Sequence, residues 1–123
     1  MSKKLLLLIE DNPLLTGMYK AAFLQAGFDV EVANDGAAGL AKIADMKPDG
    51  VLLDLVMPGI DGFGVLETIG QEHKPKPAVI VLSVVADEEK LKRAKELGAL
   101  ECLNKSQLTL QQIVEKVSGH LKN

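Results

Sequence analysis

The sequence holds one cysteine, Cys102, so no disulfide can tie the chain to itself, and a reducing compartment, the cytoplasm, is the expected location. Basic charge is not in excess. Fourteen Lys and Arg stand against 17 Asp and Glu, a net charge of −3, which argues against a surface built for direct nucleic-acid contact. Long hydrophobic runs are missing as well. Lys3-Lys4 followed by Leu5–Ile9 imitates the start of a secretory signal, but Glu10-Asp11 ends the run. A signal core needs roughly 7–15 apolar residues and a membrane span about 20, so neither export nor membrane insertion is expected. No internal repeat, linker or low-complexity tract divides the chain. With 123 residues, 47% hydrophobic and 25% charged, residues 1–123 are expected to form one globular domain.

What is present is an alternation. Short apolar runs recur at Leu5–Ile9, Val30–Ala33, Val51–Leu53, Ala78–Leu82 and Leu100–Leu103. Most lack period-2 patterning, which is how strands covered on both faces read. Each is followed by apolar residues at helical spacing: Leu14, Leu15, Met18, Tyr19 and Ala22; Leu40, Ala41 and Ala44; Leu66 and Ile69; Leu91, Ala94 and Leu97; Leu110, Ile113, Val114, Val117 and Leu121. Asn12 before Pro13 reads as an N-cap with proline in the first turn. Gly27 and Gly98 stand where helices should end, and Thr109 with Gln112 fits a capping box. Lys74-Pro75-Lys76-Pro77 is expected to be a loop, because neither proline suits a central strand. Five strand–helix units predict an α/β fold, a parallel sheet with helices on both faces. Ligand sites in such sheets lie beyond the carboxyl ends of the strands, so the residues that terminate the runs are the candidates.

The first run ends in Glu10-Asp11, the third in Asp54, the fourth in Ser83 and the fifth in Asn104-Lys105. Singly, each has an ordinary reading. Glu10 and Asp11 could favour the positive end of the first helix. Asp54 could cap or form a turn, although a charge within Val51–Met57 is costly unless paired or metal-bound. Ser83 could be a loop hydroxyl and Lys105 a solvated lysine. Jointly they say more. Three carboxylates at one edge repel unless a cation sits among them, and oxygen ligands suit a hard ion such as Mg²⁺. A lysine and a hydroxyl beside them would stabilise charge developing on a phosphoryl group under attack by a carboxylate.

Glu10-Asp11, Asp54 with Met57-Pro58-Gly59 and Asp61-Gly62, Val81-Leu82-Ser83 and Lys105, in this order, resemble the response-regulator receiver domain of two-component signalling along essentially the whole chain. The resemblance implies the flavodoxin-like, doubly wound five-stranded sheet of order 2-1-3-4-5, flanked by five helices. It implies that Asp54 is the phosphoacceptor, Lys105 the cation that contacts the phosphoryl group and Ser83 the switch hydroxyl. Mg²⁺ would be held by Asp11, Asp54 and the Val56 backbone carbonyl, with Glu10 bound directly or through water. It also implies a sensor histidine kinase, a phosphotransfer protein or a small acyl phosphate as donor. The domain would be no enzyme in the ordinary sense, but one that assists its own phosphorylation and dephosphorylation.

Three positions depart from the family's pattern. Ser106 follows the lysine where proline is usual, Cys102 replaces the aromatic three residues before it, and Val84 replaces the small residue after the switch hydroxyl. A trans Lys105-Ser106 bond is expected, since a non-proline cis bond costs about 2.5–4 kcal/mol. Cys102 is too small to fill or vacate an aromatic's volume. Output is expected through a separate partner, an effector domain or a second copy, on the face of the fourth helix, fifth strand and fifth helix, with Lys90, Lys92, Arg93 and Lys95 at its rim. Val56, Val84 and Val85 should shield the acyl phosphate from water. The alternative is a phosphorylation-independent interaction module; such modules tend to lose the acceptor, acid pair or lysine, and all are here. A dehalogenase-type phosphatase would need a second aspartate where Val56 stands, and a dinucleotide site would need Gly-x-Gly-x-x-Gly after the first strand. His73 and His120 lack partners at metal spacing, and Asp87 to Glu96 reads as a capped helix with a solvated face.

Overall fold

The computed structural model describes residues 3–57, 59–72, 76–84 and 87–121. Strands and helices alternate: β1 Leu5–Ile9, α1 Pro13–Gln25, β2 Asp29–Ala33, α2 Gly36–Met46, β3 Gly50–Leu53, α3 Gly62–Glu72, β4 Ala78–Ser83, α4 Glu88–Glu96, β5 Glu101–Asn104 and α5 Leu110–Leu121. All pairings are parallel and the order is β2-β1-β3-β4-β5, the expected doubly wound arrangement. The apolar runs differ from the strands by a residue or two because neighbours set the ends. Asp29 enters β2 opposite Leu5, and Ser83 closes β4 opposite Asn104. Leu100, expected to begin the last strand, instead precedes it and is 53% exposed.

The missing alternation in the runs follows from burial on both faces. Leu7 and Ile9 of β1 pack with Ile43 of α2, Val65, Leu66 and Ile69 of α3 and Ala94 of α4. Leu6 and Leu8 face the other way, onto Tyr19 and Phe23 of α1 and Ile113, Val117 and Leu121 of α5. Adjacent residues of a strand point to opposite faces, so a strand between two helical layers must be apolar throughout.

The helix ends use the chemistry the sequence offered. Asn12 Oδ1 accepts from the N–H groups of Leu14 and Leu15 at 3.0 and 3.3 Å, with Pro13 behind it in the first turn. Thr109 and Gln112 form the reciprocal capping box, at 2.9 and 3.1 Å. Gly27 and Gly98, at φ 100° and 118°, close α1 and α4 with paired reverse hydrogen bonds. Asp87 caps α4, whose charged residues Lys90, Lys92, Arg93 and Lys95 are exposed. Arg93 also lies 5.7 Å from the Phe63 ring centroid, a cation–π contact that joins α4 to α3. Lys76 and Pro77 lie in neither helix nor strand; Lys74, Pro75 and His73 fall outside the described residues. His120 Nε2 pairs with Glu101 Oε1 at 2.7 Å on the surface.

Candidate phosphoacceptor site

The parallel register delivers the strand-end residues to one edge. Glu10 N–H continues the β1 ladder to Ala33 at 3.1 Å, and Asp54 N–H continues β3 to the Ile9 carbonyl at 3.1 Å. The two acids therefore sit on adjacent strands, one residue past the last rung. Ser83 ends β4 and is buried; Lys105 N–H bonds its carbonyl at 3.1 Å, so the fifth strand's exit is tied to the fourth's. Gly62 lets α3 start against this edge. A Cβ there would stand 2.5 Å from Leu55 Cα and 2.6 Å from the Asp54 carbonyl oxygen, so any side chain would push the helix off the acceptor loop.

Glu10, Asp11 and Asp54 each present a carboxylate oxygen within 4.8 Å of the others. Glu10 and Asp54 are buried and Asp11 is exposed. The Lys105 ammonium bonds Glu10 Oε1 directly and lies 3.5 Å from Asp54 Oδ2. The second oxygens are held by backbone: Asn12 N–H to Glu10 Oε2 and Val56 N–H to Asp54 Oδ1, both at 3.2 Å. Burial draws the Lys105 pKa down, but its hydrogen bond to Glu10 and the charges of Asp54 and Glu10 outweigh this and raise it above the ordinary 10.5. Three carboxylates against one ammonium leave a formal charge of −2 on a set of oxygen donors. That charge and that chemistry fit a hard divalent cation.

The loop after β5 uses a backbone donor that proline would lack. Ser106 N–H and Oγ both bond Asn104 Oδ1, at 2.9 and 2.6 Å; proline has no N–H to give. Cys102 is half-buried against α4, its Sγ 3.9 Å from the Leu91 carbonyl, and burial pushes its thiol pKa up. Val56 and Val84 are 59% and 62% exposed beside the pocket; Pro58 and Val85 lie outside the described residues.

Sequence reasoning overlooked Tyr19. It reads as an ordinary core position of α1, and it is 5% exposed. Yet it borders a small gap together with Glu10 and Asp54. Its pKa is raised chiefly by burial, with Glu10 and Asp54 adding to the effect and Lys105 opposing it. Helical spacing marks such a residue as buried but cannot say that the strand opposite ends in a carboxylate.

An open parallel α/β sheet with an acid cluster and a lysine at the carboxyl edge of its central strands defines a phosphate-handling class of site. The chain matches the family described as response regulator receiver domain over residues 6–118 and belongs to it. It is 40% identical over 106 residues to protein-glutamate methylesterase/protein-glutamine glutaminase 3 of Geobacter sulfurreducens, covering 84% of this chain and 28% of that protein. It is also 40% identical over 103 residues to the transcriptional regulatory protein LiaR of Bacillus subtilis, covering 81% and 48%. The chain thus spans less than half the length of these curated relatives. Among solved structures it resembles a CheY-like response regulator receiver domain protein from Methanospirillum hungatei, with a TM-score of 0.90, 25% identity and coverage of 98% and 94%. It is accordingly a receiver domain of two-component response regulators, a signalling domain phosphorylated on aspartate. Among the described residues no helix is long and apolar enough to cross a membrane.

Proposed function

We propose that Asp54 is the phosphoacceptor of a cytoplasmic switch and that residues 1–123 act as a single receiver domain. The observation that carries this is the gathering of Asp54, Glu10 and Asp11 within 4.8 Å, with Lys105 3.5 Å from the acceptor carboxylate. An Asp54 carboxylate oxygen attacks the phosphorus of a donor phosphohistidine or acyl phosphate. A P–O bond forms, the donor's bond to phosphorus breaks, and its electron pair leaves with the donor nitrogen or oxygen. Lys105 is placed to neutralise charge on the transferred group, and Ser83, at the end of the adjacent strand, is the switch hydroxyl. Asp11, Asp54 and Glu10 would hold Mg²⁺, with the Val56 carbonyl as a further ligand assigned by family resemblance. When bound, the ion would supply positive charge against the acidic and phosphoryl oxygens. The output surface is the α4–β5–α5 face, rimmed by the exposed Lys90, Lys92, Arg93 and Lys95, and its partner is a separate protein, an effector domain or a second copy.

Incubation with acetyl phosphate and Mg²⁺ followed by intact-mass and peptide mass spectrometry tests this: one phosphoryl group should appear, on the Asp54 peptide. Label elsewhere, or none, removes the assignment.

Mg²⁺ should stabilise the unlabelled protein by relieving repulsion among Glu10, Asp11 and Asp54. At ten times its Kd the gain is about 1.4 kcal/mol, or roughly 4–6 °C in Tm for a domain of this size. A melting curve unmoved by saturating Mg²⁺ would count against the metal assignment.

The lifetime of the label should be long, because Val56 and Val84 put apolar surface beside the acceptor and offer no side chain to orient water. Val56→Asn should shorten the lifetime several-fold in a decay assay. Equal decay in the two proteins would refute the shielding role.

A further inference from the structure

Two cavities meet at Tyr19. One is a cleft of about 290 Å³ between α1 and the β5–α5 loop, bordered by Tyr19, Met18, Val84, Lys105 and Ser106 among others. The other is a gap of about 10 Å³ behind the acceptor, bordered by Glu10, Asp54, Tyr19 and aliphatic residues of β1, β3 and β4. That gap has room for one water at most. Of the described residues that border it, Tyr19 alone carries a side-chain O–H or N–H donor. Among the hydrogen bonds that hold the pocket are those of Lys105 and Asn12 to Glu10, and of Val56 to Asp54.

We propose that Tyr19 is a positioning residue of the acceptor site: its hydroxyl takes over Glu10 when Lys105 turns to a phosphoryl group on Asp54. The inference rests on Asp54 being the acceptor. Lys105 is bound to Glu10 and already lies 3.5 Å from Asp54, and a phosphoryl group adds anionic oxygens that compete for the same ammonium. Glu10, 5% exposed, would then keep the Asn12 N–H at Oε2 but lose the ammonium at Oε1, and a buried carboxylate oxygen short of a donor is disfavoured. The phenol across the narrow gap is protonated at neutral pH and can make the short, charge-assisted bond that replaces it.

Tyr19 is the chain's one tyrosine and there is no tryptophan, so its emission reports this contact without labelling, since a phenol donating to a carboxylate is quenched. In metal-free Lys105→Met, most of the emission should be lost, and adding Glu10→Gln should restore it. In the wild-type protein, emission should fall in step with acetyl-phosphate labelling and recover as the label decays. Tyr19→Phe keeps the ring and should melt cooperatively, but its labelling rate should drop several-fold. Unchanged emission in folded Lys105→Met overturns the hand-over; should that variant not fold, unchanged emission in fully labelled wild type overturns it instead. If the wild type takes no label at Asp54 while Glu10-dependent quenching persists in Lys105→Met, the acceptor assignment falls and the Tyr19–Glu10 pairing stands.

Discussion

Asp54→Asn should take up no phosphoryl group at all. Asparagine preserves the shape of the side chain and can still accept the Val56 N–H at Oδ1, as the aspartate does at 3.2 Å. What it lacks is an anionic oxygen able to form the mixed anhydride. The loss should therefore be complete in mass spectrometry after incubation with acetyl phosphate and Mg²⁺, with the fold intact. The same substitution removes one of three mutually repelling carboxylates while leaving the Lys105–Glu10 pair in place. The metal-free variant should consequently melt no lower than the wild type and respond more weakly to Mg²⁺. Stoichiometric label on the variant would move the acceptor to another residue.

Lys105→Met should show the largest loss of stability among single substitutions at the site. Methionine keeps the apolar stem but leaves the buried carboxylates of Glu10 and Asp54 without their cation. Breaking a buried pair in this way costs about 3 kcal/mol, against a total of roughly 5–15 kcal/mol for a domain. The variant should therefore fold but unfold at clearly lower denaturant in EDTA. Mg²⁺ should recover more stability in it than in the wild type, because the site is one charge more negative. Labelling should slow on the order of 10²-fold, the usual consequence of removing one group that stabilises charge in the transition state. Equal denaturation midpoints in EDTA would mean that the Lys105 contacts contribute nothing to the fold.

The pH dependence carries its own sign. Lys105 has a folded pKa above its ordinary 10.5, through Glu10 and Asp54 acting against desolvation. The folded chain thus keeps a proton that the unfolded chain loses first. The pair's contribution is fully present below 10.5 and lost as pH rises through the folded value. The stability difference between the wild type and Lys105→Met should hold through neutral pH and shrink at more alkaline values.

The sequence alone determined the class of fold and named most residues of the candidate site. Leu5–Ile9 and Val51–Leu53 read as strands covered on both faces, and Asn12-Pro13 and Thr109–Gln112 carried their caps in side-chain chemistry that acts within a few residues. Glu10, Asp11, Asp54, Ser83 and Lys105 were legible because each stands at the end of an apolar run, and parallel strands bring all such ends to one edge. Tertiary structure decided what depends on distance between strands and helices. It seats Lys105 on Glu10 as well as near Asp54, because the tie from Lys105 N–H to the Ser83 carbonyl fixes where the loop leaves the sheet. It uses Ser106 N–H as a donor to Asn104, a bond that proline could not make. It also brings Tyr19, from a helix that the sequence could mark only as amphipathic, to the floor of the acid pocket. Periodicity tells which face of a helix is buried; only packing tells what that face meets.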